Sequence, residues 1–267
     1  MDKLLRLIFT KLDSKKWVNC GERTPNSVSC VHCQQSQYYN GNKISYSCVE
    51  KRKIYALRYL PVHEAENRSA LRKLPDDVVQ ELLNYNNIRV LSLGGGPGSD
   101  LYAVLKYLSE SVRDGYRHKV SMTRIDIEPL WDKMAGVVVE DAAAGCDFEI
   151  VNKVIHADVM AGLDSVKGKE YDLVICSYLI SELSGVNFKE LGGRLKKIMW
   201  KGGVLMINDR PQDEVDNNIR EIFEGAEIEL EEASNNGHAN YYFDQDIVDK
   251  VGPKFYMGSN FFLGVNK

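Results

Sequence analysis

Residues 91–100 read LSLGGGPGSD, four glycines and a proline after a short apolar run. Glycine at such a turn lets the backbone take positive φ and lets a ligand approach within contact distance. A glycine-rich turn after a strand holds a phosphate, a nicotinamide dinucleotide or S-adenosylmethionine (SAM), and spacing separates the three. Dinucleotide binding wants G-x-G-x-x-G or G-x-G-x-x-A. Counted from Gly94 the last position is Ser99, and counted from Gly96 it is Leu101. The phosphate loop G-x-x-x-x-G-K-[ST] fails too, because no Gly-Lys pair is followed by Ser or Thr. What remains is G-x-G-x-G at Gly94, Gly96 and Gly98. Two acids follow, Asp126 in RIDIEP and Asp158 in HADVMAGL. A carboxylate can accept two hydrogen bonds from a ribose diol, and Glu128 competes with Asp126 for that role.

A scaffold must bring these residues together, and the hydrophobic pattern supplies one. Apolar runs at 88–93, 119–127, 148–158, 171–178 and 202–209 read as strands. Helical spacing at 100–112, 129–145 and 187–199 alternates with them. The run at 171–178 has the continuous apolar core of a strand buried on both faces. Such alternation implies an α/β fold with a doubly wound, mostly parallel sheet. Residues 226–234 and 260–266 add two strands and seven in all, with the last two suited to an antiparallel edge. Ligands bind such sheets at the carboxyl ends of the strands, near the switch in strand order. Before the sheet, 51–85 look helical, with Pro61 as a start or kink and a second helix after Pro75, where Asp76 or Asp77 can cap it. Leu4, Leu5, Ile8, Phe9 and Leu12 form one face of an amphipathic first helix.

At this point VLSLGGGPGSDLYAVLKYL resembles the first motif of class I (Rossmann-like) SAM-dependent methyltransferases, hh-(D/E)-hG-x-G-x-G. The resemblance spans about residues 86–266, and the GG of WKGGVLMIND fits it as well. It implies that Gly94, Gly96 and Gly98 bind SAM, that Asp126 holds the ribose hydroxyls and that Asp158 accepts a bond from the adenine amino group. The family carries an acid where this chain has Ser92, and uses it to hold the amino group of SAM. Here a water or another side chain must replace it. Trp131 either offers an apolar face to adenine or belongs to the helix core. Substrate-facing residues of the family follow the fourth strand, which ends here as ICSYLISEL. Ser177, Tyr178 and Glu182 are therefore the candidate catalytic residues, with Ser177 also touching the cofactor. The (D/N/S)-P-P-(Y/F) motif of nucleic-acid amino methylation is absent. Cys176 has no neighbouring proline and reads as a small core residue rather than a nucleophile. Asp209 and Arg210 read as a loop salt bridge before they read as substrate contacts. The segment YDLVICSYLISEL is also similar to methyltransferase-like proteins of the mitochondrial small ribosomal subunit.

Residues 18–50 differ in kind. Cys20, Cys30, Cys33 and Cys48 lie within 29 residues, and CVHC is a C-x₂-C knuckle. Four thiolates suit a tetrahedral Zn²⁺, favoured over an iron–sulfur cluster, and His32 inside the knuckle is not a ligand. Around them stand Lys11, Lys15, Lys16, Arg23, Lys43, Lys51, Arg52, Lys53 and Arg58, interleaved with Trp17, Tyr38, Tyr39 and Tyr46. Basic residues neutralise phosphates and aromatics stack on unpaired bases. Residues 1–75 carry 14 Lys and Arg against 6 Asp and Glu, while the whole chain has net charge −4. This basic part either meets an anionic polymer or docks on the acidic remainder.

The apolar stretches fall short of the ~18 residues a membrane span needs. The first residues lack the long apolar core and small-residue cleavage site of a signal peptide. Six cysteines without such a signal point to a reducing, cytoplasmic setting. The expectation is a methyltransferase with a substrate-recognition module at 1–85, carrying a zinc knuckle, and a SAM-binding domain at 86–267. RNA is the expected acceptor and partner. The alternatives are a protein or small-molecule acceptor, or a non-catalytic protein that keeps the fold.

Overall fold

The computed structural model describes residues 1–18, 20, 27–37, 45–112 and 118–267. Arg23, Tyr38, Tyr39 and Lys43, named above, lie outside the described residues. Before the sheet come α1 (Asp2–Thr10), α2 (Ser14–Val18), α3 (Cys30–Ser36), α4 (Val49–Leu71) and α5 (Asp76–Asn84). Then β1 (Asn87–Leu93), α6 (Ser99–Ser111), β2 (His118–Asp126), α7 (Asp132–Ala143), β3 (Phe148–His156), α8 (Val159–Ser165) and β4 (Tyr171–Ser177) alternate. The chain ends with α9 (Phe188–Lys196), β5 (Met199–Asp209), α10 (Asp213–Ala226), β6 (Glu231–His238), α11 (Gln245–Val251) and β7 (Tyr256–Val265).

The seven strands form one sheet in the order β3-β2-β1-β4-β5-β7-β6. β1 to β5 run parallel, whereas β7 is antiparallel to both β5 and β6. This is the doubly wound, mostly parallel α/β sheet that the sequence leads one to expect. Its order reverses between β1 and β4, so a crevice opens beyond their carboxyl ends.

Period-two alternation divides the core. Leu173 and Ile175 of β4 join one apolar cluster, and Val174 and Cys176 join the other. The first cluster includes α1, α4 and α6 side chains such as Leu4, Leu5, Leu57, Leu60 and Leu101. The helices that precede β1 thus share a core with the sheet. Leu4, Leu5 and Ile8 are buried as the amphipathic pattern requires, with Phe9 and Leu12 partly buried against them. Cys176 is buried in the second cluster. Among the described residues no helix is long and apolar enough to cross a membrane.

Two expectations shift. α4 runs through Pro61 instead of starting there, and the strand expected at 226–234 begins only at Glu231. Ala226 still belongs to α10, Glu227 takes a left-handed conformation, and Ile228 is buried in the connection. The strand itself, EEASNNGH, is an edge with one buried residue, so it offers no apolar alternation to read. Asp76 and Asp77 sit in the first turn of α5, after Pro75 at the N-cap.

α9 and α10 cross closely on the second face. A Cβ on Gly192 would lie 1.9 Å from the carbonyl oxygen of Ile222, and one on Gly225 would lie 2.0 Å from that of Lys189. Neither neighbour is a side chain that can turn aside. Gly192→Ala is therefore expected to destabilise the fold by roughly 1–3 kcal/mol or more, the range for overpacked cores. Thermal unfolding of the variant against Gly193→Ala checks this, because the Gly193 Cβ meets nothing closer than 3.5 Å.

Candidate active site

One cavity of about 360 Å³ lies beyond the carboxyl ends of β1, β2, β3 and β4. Its floor is the glycine turn. Gly94, Gly96 and Gly98 all have positive φ, and the turn is tied to β2 by the Gly94 N–H, which donates to the Ile125 carbonyl at 2.8 Å. A Cβ on Gly96 would find no atom nearer than 3.9 Å, so this residue faces open space. Gly94 and Gly96 line the cavity, but Gly98 does not. It caps α6 and backs onto Ala135 and Val138 of α7.

Asp126 ends β2 and is pinned to the turn. Its Oδ2 accepts from Gly96 N at 2.6 Å and its Oδ1 from Glu128 N at 2.8 Å. Burial pushes its carboxyl above the usual carboxylate range and so weakens it as an acid, while these two bonds and Arg124 oppose the shift. Arg124 is itself buried, 3.7 Å from Asp126, and bonds Gly96 O and Asp132. Each Asp126 oxygen keeps a further acceptor direction toward the cavity. Asp158 caps α8 with one oxygen, Oδ1, which accepts from Met160 N and Ala161 N at 3.0 and 3.1 Å. Ile127, between the two acids, lines the same cavity with 73 % of its surface exposed. Trp131 is buried in the cavity wall, where its ring lies 5.1 Å from Tyr46 and 5.6 Å from Tyr55.

The carboxylate bonded to Ser92 is that of Asp100, in the first turn of α6. Ser92 is fully buried and its hydroxyl donates to Asp100 Oδ2, while Leu101 N donates to Oδ1 at 2.8 Å. Asp100 lines the cavity, and burial pushes its carboxyl up to about 6. The stretch GSD carried the signal, since Asp100 stands two residues past Gly98, in the first turn of α6.

Ser177, Tyr178 and Glu182 come together at the end of β4 and all line the cavity. Ser177 Oγ accepts from Asn67 Nδ2 at 3.1 Å. Tyr178 has φ 56, rare for a bulky residue. Its hydroxyl donates to Glu66 Oε2 at 2.8 Å, and its ring stacks on His63 at 3.9 Å and 15°. His63 was not legible as a site residue, although Tyr55, Tyr59 and His63 recur every fourth residue along α4 and so share a face. Burial, with Lys254 and Arg210 adding to it, holds the His63 imidazole well below its ordinary value, so it is neutral at pH 7. Glu182 accepts from the Tyr46 hydroxyl at 3.3 Å and lies 4.0 Å from Arg210. Burial pushes its carboxyl up to about 7. Asp209 is buried and accepts from Arg210 N in its own loop and from Ser181 N in the loop after β4.

The tetrahedral site expected from Cys20, Cys30, Cys33 and Cys48 is not assembled. Among the described residues no group of three or more His, Cys, Asp or Glu side chains could hold a metal ion. Cys30 and Cys33 are buried one turn apart on α3, Cys30 within the main apolar cluster, where thiols pack as small apolar groups. Cys20 and Cys48 are half-buried. Several basic residues of this part are held in ion pairs. Arg6 pairs with Asp244 and Asp246, Arg68 with Glu64 and Glu110, Arg72 with Glu110 and Lys53 with Glu50. Lys11, Lys15 and Lys16 are exposed.

No family model matches the chain, and no curated protein matches it. Solved structures similar to it include a precorrin-6y C5,15-methyltransferase from Geobacter metallireducens, at 13 % identity and TM-score 0.46, covering 71 % of this chain and 84 % of that one. A SAM-dependent methyltransferase from Archaeoglobus fulgidus shares 14 % identity at TM-score 0.45, covering 74 % and 94 %. Magnesium protoporphyrin IX methyltransferase from Synechocystis, solved with bound SAM, shares 14 % at TM-score 0.44, covering 91 % and 100 %. At such values the function has to be argued from the cavity itself.

Asp100 provides a stability test. A carboxyl held at about 6 instead of 3.8 disfavours the charged folded state by roughly 3 kcal/mol at neutral pH. The folded state binds more protons between those values, so stability falls as pH rises through that window. Asp100→Asn is expected to unfold at higher temperature than wild type at pH 7. The two should converge toward pH 4, and a constant difference across that range would contradict the assignment.

Proposed function

We propose that the chain is a SAM-dependent methyltransferase. The observation that carries this reading is the meeting of the glycine turn with Asp100, Asp126 and Asp158 around one cavity. Asp126 presents two fixed acceptors to the ribose hydroxyls. Asp158 keeps Oδ2 for the adenine amino group, with Ile127 against the ring. Asp100, aimed by Ser92, meets the ammonium end, and the open face of Gly96 admits the ligand backbone-close. All three acids favour a cationic ligand over a phosphate. When bound, SAM supplies a methyl group on a sulfonium, which departs as a neutral thioether. The chain needs only to align the acceptor with that methyl and exclude water. Ser177, Tyr178 and Glu182 stand where alignment is needed. Residues 1–85 act on the substrate side, since Tyr46, Tyr55 and His63 complete the wall.

Two acceptor readings can be weighed. RNA rests on exposed Lys11, Lys15 and Lys16. A small molecule is favoured by the cavity lining, which among the described residues contains no Lys or Arg.

Calorimetry tests the cofactor. Wild type is expected to bind SAM, and Gly96→Arg to abolish binding by filling the open face. Asp126→Ala should weaken it tenfold or more. Asp100→Asn should weaken SAM by a similar factor yet leave 5′-methylthioadenosine, which lacks the amino-acid part, unchanged. No binding of SAM to wild type removes the reading. Tritiated methyl transfer into RNA, protein and small-molecule fractions then identifies the acceptor class.

A further inference from the structure

Besides the glycine turn and the three aspartates, the same cavity is lined by Tyr46, Tyr55, His63, Tyr178 and Glu182. Four of these five are flat rings, and the fifth is a carboxylate. Tyr46 and Tyr55 lie 5.6 Å apart, edge to face, and His63 and Tyr178 stack at 3.9 Å. The rings are held from behind. Tyr178 is fixed by its hydroxyl bond to Glu66 and by the Tyr178 N–H bond to the Asn208 carbonyl at 2.8 Å. Tyr55 and His63 are fixed on a long helix with Tyr59 between them, at ring distances of 5.1 and 5.7 Å.

We propose that this aromatic lining takes the methyl acceptor, and that the acceptor is a small aromatic amine. This rests on the methyltransferase reading above. A lining of aromatic rings that pack on one another suits an aromatic body, whose stacking is specific in geometry as well as apolar. Glu182, with 24 % of its side chain exposed, gives an ammonium its counter-charge. Ring faces add cation–π attraction for the same group. Among the described lining residues an anionic acceptor finds no Lys or Arg, and it meets Glu182, Asp126 and Asp158 instead. A nucleic acid would bring phosphates to that same rim.

Reaction requires the free amine. The ammonium gives one proton to the Glu182 carboxylate. Its nitrogen lone pair then forms the N–C bond, the C–S bond breaks, and that electron pair stays on sulfur. The groups facing Glu182 are Tyr46, Arg210, Asp209 and Asp126. Burial, helped by Asp209 and Asp126, pushes the Glu182 carboxyl up to about 7 against Arg210 and Tyr46. The carboxylate form that an ammonium needs is therefore gained as pH rises through 7.

The matched probes are tryptamine and indole-3-acetate, titrated calorimetrically into protein saturated with S-adenosylhomocysteine. At pH 8 tryptamine is expected to bind at least tenfold more tightly than indole-3-acetate. Its affinity should fall about tenfold between pH 8 and pH 6. Glu182→Gln should erase both the charge preference and the pH dependence, and Tyr55→Ala should weaken both probes. Equal binding of the two probes, binding of neither, or a preference that survives Glu182→Gln overturns the proposal. So does methyl label that accumulates in RNA. Failure of S-adenosylhomocysteine to bind removes the methyltransferase reading instead, and the probe contrast is then measured on the free protein.

Discussion

A buried carboxylate, that of Glu66, sets the terms for the whole site. It sits at zero exposure in the middle of α4, where an unpaired charge would cost several kcal/mol. Three separate parts of the chain converge to satisfy it. Tyr178 at the end of β4 donates to Oε2, Gly258 N of β7 donates to Oε1 at 2.8 Å, and Lys254 lies 3.7 Å away. The Glu66 carbonyl accepts from Asn235 of β6, which also donates to Asn208 and Ser259. One turn of α4 therefore locks the carboxyl end of β4 to the antiparallel edge of the sheet. Burial still raises the Glu66 carboxyl above its usual value, so the network is not surplus to need. The neighbouring Asn67 holds Ser177 by the same logic. Both candidate residues at the end of β4 are positioned from behind by consecutive residues of a helix that precedes the sheet.

The same principle operates at the glycine turn with smaller parts. Asp126 is held by backbone N–H groups from both sides of the crevice, and Arg124 underneath ties the turn to Asp132. Asp100 has no such cation within bonding distance among the described residues. It has a serine hydroxyl and one backbone N–H, and its carboxyl sits at about 6 as a result. A partly compensated acid of this kind attracts whatever cation enters the cavity. A carboxylate at position 100 keeps the charge near the turn, with Ser92 bonded to it.

The frame and the cradle were legible because both write themselves into short patterns. β1, β4 and β5 are apolar runs because they are largely buried on both faces, while the edge strand β3 shows only half-buried apolar positions. Gly94, Gly96, Asp126 and Asp158 sit at strand ends, where sequence order fixes position. The edge strand β6 was misplaced because an exposed edge demands no apolar residues. The acceptor wall was only partly legible. Tyr178 and Glu182 follow β4 directly, but Tyr55 and His63 reach the cavity across the fold from a helix that is buried around most of its surface. Such a helix has no single apolar stripe, so its functional face does not stand out. The cysteines misled for a related reason. C-x₂-C spacing is also the spacing of two residues on one face of a helix, and α3 uses it for packing.

Charge asymmetry is the remaining feature, and the ion pairs account for much of it. Arg6 bridges α1 to Asp244 and Asp246, beside and within α11, while Arg68 and Arg72 bridge α4 to Glu110 of α6. Lys250 of α11 lies over the rings of Phe9 and Trp17. Each contact joins the basic part of the chain to the acidic part. Exposed pairs of this sort contribute about 0–1 kcal/mol apiece, so the apolar cluster carries the docking and the charges choose its register. Among the described residues of that part, the exposed cations Lys3, Lys11, Lys15, Lys16, Arg72 and Lys73 stand on no wall of the cavity. The charge that lines the cavity is the opposite one, carried by Asp100, Asp126, Glu128, Asp158 and Glu182.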